Sequence, residues 1–129
     1  RGMKGHIALL VSLMLAAPSA RAAGPMDSML EKLAPEERAH QVCILRGFDI
    51  FQKDKHLRSA DRLKTSIFSR AQLHGATLQA KGGAVRMKGH WYAMDFKCTL
   101  TSDLLKATSF LYNLGGEIRK ADWDRLGLW

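Results

Sequence analysis

Met26, Met29, Leu30 and Leu33 recur at three- and four-residue spacing, with Asp27, Glu31 and Lys32 between them, which predicts a short amphipathic helix. Pro35 restarts the helix, because proline suits a first helical position and Glu36 and Glu37 suit the positive end of the helix dipole. This second helix should run to about Gln52 with a core stripe of Ala39, Val42, Leu45, Phe48 and Phe51. Gly47 within it costs about 1 kcal/mol against alanine, which predicts a close packing contact there. Lys53 to Ala60 reads as a charged loop.

From Asp61 the hydrophobic period shortens from helical to alternating, which argues for a sheet. Leu63, Thr65 and Ile67 outline a first strand. Gly75 to Gly83 reads as a turn-rich connection with a short strand over Thr77 to Ala80, and Gly82-Gly83 as a turn. Ala84 to Lys88 pairs, through a turn near Gly89, with the clearest strand, in which Tyr92, Met94, Phe96, Cys98 and Leu100 alternate with Asp95, Lys97 and Thr99. Thr101-Ser102-Asp103 leads into Lys106 to Leu114, where Thr108, Phe110, Tyr112 and Leu114 share a face and Gly115-Gly116 end the strand. Ala121 to Leu126 forms a last helical turn closed by Gly127. The expected fold is α+β: one or two N-terminal helices packed on an antiparallel meander of three to four strands, with a short C-terminal helical turn.

Ahead of this domain, Met3 and Lys4 precede an apolar run from Ile7 to Ala17 and the small-residue stretch Pro18-Ser19-Ala20-Arg21-Ala22-Ala23, the form of a secretory signal peptide. The run is too short to anchor in a membrane, since a spanning helix needs roughly twenty apolar residues. The expectation is a signal peptide over residues 1–22, a single domain over 23–129 without a transmembrane segment, and a periplasmic or secreted location. No cysteine lies near the cleavage site to carry a lipid. Without residues 1–22 the chain keeps 17 basic and 12 acidic residues, a net charge of +5.

The two cysteines, Cys43 on the helix stripe and Cys98 on the apolar face of the best strand, are brought together by the packing that buries both, so a disulfide is expected in an oxidising compartment. The competing reading is a catalytic or metal-bound thiol with His40 three residues before Cys43, but two ligands fall short of the four a structural zinc site uses. No metal or cofactor is expected.

Gln41-Val42-Cys43, Trp91-Tyr92 leading to Phe96-Lys97-Cys98-Thr99-Leu100, Thr108-Ser109-Phe110-Leu111-Tyr112, Gly115-Gly116-Glu117-Ile118 and the closing Trp123-Asp124-Arg125-Leu126-Gly127-Leu128-Trp129 together resemble a family of small secreted bacterial proteins, the domain-of-unknown-function 930 family. The resemblance covers about residues 28 to 129 and implies a periplasmic domain with no assigned catalytic residues. Lys53 to Arg70 follows the pattern least clearly.

Direct signs of chemistry are few. There is no G-x-S-x-G, H-E-x-x-H, phosphate-binding glycine loop or C-x-x-C. His40, His56, His74 and His90 are scattered, and Asp95 has no second carboxylate spaced to work with it. Two surfaces remain. Lys53, Lys55, Arg58, Arg62, Lys64 and Arg70 against Asp54 and Asp61 leave a net +4, and Lys97 and Lys106, on strands expected to pair, extend it together with Arg86 and Lys88. Such a field attracts an anionic envelope component, whether lipid headgroup, acidic glycan or acidic protein; the bland alternative is a solvated basic surface. No interleaved aromatics point to nucleic acid. The second surface is Trp123, Leu126, Leu128 and Trp129, which either seals the core edge or leaves Trp129 free for a partner.

The sequence therefore suggests a non-catalytic periplasmic binding or accessory protein of the cell envelope. The alternatives are an envelope hydrolase or isomerase subunit using His90 and Asp95, and an inhibitor of a secreted enzyme. Oligomeric state is not legible in the sequence.

Overall fold

The computed structural model describes residues 24–129; the expected signal peptide over residues 1–22 lies outside the described residues. Two helices, α1 (Pro25–Glu31) and α2 (Pro35–Phe51), lie on a sheet of β1 (Ala60–Lys64), β2 (Gln72–His74), β3 (Thr77–Met87), β4 (His90–Leu100) and β5 (Ala107–Glu117). A 3₁₀ turn (Lys120–Asp122) and α3 (Trp123–Leu126) follow. All pairings are antiparallel in the order β1-β3-β4-β5, with β2 on the same edge of β3 as β1. The class is α+β, with five strands where three to four were expected.

Cys43 and Cys98 form a disulfide with 6.0 Å between their Cα atoms, and both are fully buried. It joins the middle of α2 to β4, where Ala39, Val42 and Phe51 meet Leu78, Val85, Met94, Phe96 and Phe110. Phe110 stacks on Phe96 with centroids 4.7 Å apart. Gly47 lies where expected: a Cβ there would meet the Phe110 ring at 3.0 Å and Leu63 at 3.1 Å. α1 is less amphipathic in place than its pattern suggests, since Leu30 is buried but Met26 and Met29 are exposed. Arg38 of α2 holds α1 instead, donating to the carbonyl oxygens of Leu30, Glu31 and Leu33 at its C-terminal end and to Asp103 in the β4–β5 turn. Leu45, expected in the core, is 44% exposed, because α2 turns that side toward the open edge beside α1.

Three strand boundaries differ from expectation. β1 ends at Lys64, and Thr65 turns inward, 2.8 Å from Nδ1 of His40 on α2. β3 is one strand interrupted by a bulge between Ala80 and Gly83, not two strands about a turn. Gly82 and Gly83 serve close approach: Gly82 accepts hydrogen bonds from Ile67 and Phe68 of a crossing loop, and a Cβ on Gly83 would lie 2.8 Å from the Lys64 carbonyl oxygen and 2.9 Å from that of Met94. β5 runs through Gly115-Gly116 to Glu117, and Leu114 at this outer strand is exposed.

Even-numbered residues of β4 face the helices, as the alternation predicts. The other face is not all solvated. Trp91 points there and is completely buried with Ala84, Ile118 and Leu128, while Ile67, Trp123 and Leu126 pack around them. The chain from Ile118 to Trp129 thus folds back over one end of the sheet's outer face and makes a second, smaller core.

Candidate functional site

The outer face has a covered end and an open end. The open end presents Gln79, Lys97 and Leu111 side by side across β3, β4 and β5, with Lys81 and Asp95 next to them around a shallow depression of about 410 Å³. Phe68, 53% exposed, lies beside Lys81, Ala93, Asp95 and Asn113. The covered end is held by side chains that reach up from the strands. Trp91 Nε1 and Arg86 Nη1 both donate to the main-chain oxygen of Trp129, at 3.1 and 2.8 Å, and Lys64 Nζ donates to that of Gly127 at 3.1 Å. Trp129 stays 61% exposed, with the Lys64 ammonium 3.9 Å and the Arg62 guanidinium 5.4 Å from its ring centroid. Burial against this segment, with Arg62 close by, holds the Lys64 ammonium below its ordinary pKa.

The helices and the outer face differ in charge. The helices, with Lys32 that caps α1, carry Asp27, Glu31, Glu36, Glu37 and Asp49 against Lys32, Arg38 and Arg46, a net −2. The outer face and the segment folded on it carry Arg62, Lys64, Lys81, Arg86, Lys97, Arg119, Lys120 and Arg125 against Asp61, Asp95, Asp122 and Asp124, a net +4. Asp61 takes a two-pronged bond from Arg86 at 2.9 and 2.7 Å, which holds its carboxyl below the usual range. Asp122 lies 3.4 Å from both Arg119 and Arg125.

A family model described as Domain of Unknown Function (DUF930) matches residues 30–128. The chain belongs to this family. No curated protein and no solved structure matches it. The stretch that defines this DUF930 domain takes in both cysteines, the helix layer from Leu30 and the second core up to Leu128.

Of the eight basic residues picked from the sequence, the DUF930 fold brings Arg62, Lys64 and Lys97 to the outer face and disperses the rest. Lys53, Lys55 and Arg58 sit in the loop after α2, where Arg58 donates to the Gln52 carbonyl oxygen. Arg70 lies 3.7 Å from Glu36 at the start of α2. Lys106 is in the β4–β5 turn beside Met26 and Asp27, so it does not pair with Lys97, whose neighbour is Leu111. Lys81 and the exposed Trp129 complete the outer face. Lys81 is hidden in sequence by the glycines that follow it, whereas the aromatic ending does flag Trp129.

The histidines do not assemble a catalytic constellation. His90 lies 3.1 Å from Glu117 and faces the helix side of β4, while Asp95 faces the opposite side, so the structure does not bring these two together. His40 is half-buried, and desolvation lowers its pKa despite Glu36 nearby. It borders an open groove of about 700 Å³ between α2 and the end of β1, with Thr65, Ser66, Arg70 and Glu37. Among the described residues, no three His, Cys, Asp or Glu side chains cluster as metal ligands, and no helix is long and apolar enough to cross a membrane.

The loop after α2 is tied down by Asp54, whose carboxylate accepts the Tyr112 hydroxyl and the His56 amide. Partial burial and this bond push the Tyr112 phenol up to about 12, and the same bond lowers Asp54. Stability from Tyr112 should therefore be fully present below pH 10 and lost as pH rises through about 12; that from Asp54 is present above pH 3.8 and lost as pH falls through its lowered folded value. An ultraviolet titration should show one tyrosine ionising near pH 12, and Asp54→Asn should bring it down. Unchanged titration in Asp54→Asn would show that the bond does not form.

Proposed function

We propose that this DUF930 domain is an exported, periplasmic binding or accessory protein of the cell envelope, which acts without catalysis by presenting the outer face of its sheet to an anionic partner. The observation that carries this reading is the separation of charge, a net −2 on the helices against a net +4 on the outer face and the segment folded on it. A molecule polarised in this way approaches an anionic surface sheet first. The leader-like pattern ahead of the domain and a disulfide, which persists in oxidising compartments, support export. The placement of His90 and Asp95 on opposite sides of β4 favours binding over catalysis.

The test is charge reversal guided by the fold. Arg62→Glu, Lys81→Glu and Lys97→Glu together should weaken sedimentation with envelope fractions by at least about 100-fold, since each basic residue near an anionic surface contributes about 1 kcal/mol. The same number of reversals at Lys53, Lys55 and Lys106, away from this face, should change it little. Binding should fall steeply with salt, as the Debye length shrinks from about 8 Å at physiological ionic strength to about 3 Å at 1 M. Equal effects from the two triple variants would defeat the reading.

A further inference from the structure

We infer that the anionic partner is a phospholipid surface, and that the Trp129 indole, flanked by Arg62 and Lys64, is the group that enters its headgroup layer. This rests on the reading of the outer face as an anion-binding surface. Acidic polymers and acidic lipids offer the same charge, so charge alone does not choose between them. The exposed aromatics do. Trp129 and Phe68 are left 61% and 53% exposed, both on the side of the sheet that carries the positive charge. Apolar rings with an adjacent lysine and arginine suit the membrane boundary, where an indole sits at headgroup depth and cations meet lipid phosphates. The outer face and the segment folded on it, at a net +4, are more positive than the helices, at a net −2, which favours a sheet-inward approach.

The ring is also held in place before any lipid is met. The main-chain oxygen of Trp129 is fixed by Trp91 and Arg86, its neighbour Leu128 is buried, and Lys64 lies against the ring while bonded to the Gly127 oxygen. Little freedom is left for the ring to lose on binding. Of the three tryptophans, Trp91 is fully buried and Trp123 is partly buried against the second core, so Trp129 is the one left exposed.

The experiment uses the full chain with phosphatidylglycerol vesicles, phosphatidylcholine vesicles, and a lipid-free acidic polysaccharide. The expected result is binding to phosphatidylglycerol with a blue shift of tryptophan emission and quenching by brominated acyl chains, and no binding to phosphatidylcholine. Trp129→Ala should abolish the shift and weaken vesicle binding about tenfold, a typical loss for an apolar side chain withdrawn from water. Arg62→Glu, at an exposed position that leaves the Lys64 bond intact, should weaken it by at least about fivefold. Thermal melts of both variants should match the wild type. Vesicle binding that is unquenched, or equally tight in Trp129→Ala, would overturn the inference. Binding to the polysaccharide but not to vesicles would overturn it while sparing the anionic reading; no binding to any of these anions would sink both.

Discussion

Cys43→Ala or Cys98→Ala should lower the unfolding free energy by about 2–5 kcal/mol. The bridge spans a sequence separation of 55 residues, for which the chain-entropy model gives about 4 kcal/mol. That is a large share of the roughly 5–15 kcal/mol by which small domains are stable. The location adds to the effect, because the bond is the covalent link between α2 and the centre of the sheet, and both sulfurs are completely buried. Each single variant removes the same cross-link, so the double variant should be close to either single one and far from additive. Urea unfolding under non-reducing conditions measures this. A single variant as stable as wild type would show that helix packing alone holds the layers together.

Trp91→Ala should cost about 3–5 kcal/mol, the usual range for truncating a fully buried large aromatic. The loss falls on the second core, where Trp91, fully buried, packs with Ala84, Ile118 and Leu128. Its Nε1 also anchors Trp129, and the Ile118 amide donates to the Trp91 carbonyl oxygen at 2.7 Å. Trypsin reports on this segment directly, because Arg119, Lys120 and Arg125 are exposed but held in a folded stretch. Cleavage there should accelerate sharply in Trp91→Ala. Trp91→Phe keeps most of the apolar contact and gives up one hydrogen bond of about 1 kcal/mol, so it should stay close to wild type. If both variants were cleaved as slowly as the wild type, the segment would be held by Arg86 and Lys64 without the core beneath it.

These two predictions draw on different kinds of information. The Cys43–Cys98 bridge, α2, β4 and the α+β class were legible in the sequence because backbone geometry repeats: a helix buries every third or fourth residue and a strand every second, so the pattern names the buried face before any partner is known. Gly47 was legible for a related reason, since a glycine in a helix stripe costs stability unless close packing recovers it. The family match takes in the aromatic strand and the chain up to Leu128.

The candidate site was much less legible. By alternation, Trp91 falls on the side of β4 that Asp95, Lys97 and Thr99 mark as solvated; it is buried because a segment some thirty residues later folds back over it, a contact with no local period. Gly82 and Gly83 resemble a turn in sequence, yet they stand within β3, at its bulge, because a loop crosses them too closely for a side chain, and the turn-like pattern hides Lys81. The run from Lys53 to Arg70 forms one basic cluster along the chain, but in space it passes from the end of α2, through β1, to the start of α2, and only Arg62 and Lys64 reach the outer face. The sequence by itself thus determined the main buried faces of α2 and β4 and that the two cysteines meet. Which charges and aromatics share a surface was decided only by the tertiary structure, because charge exerts its effect through distance in space, and chain order does not set that distance.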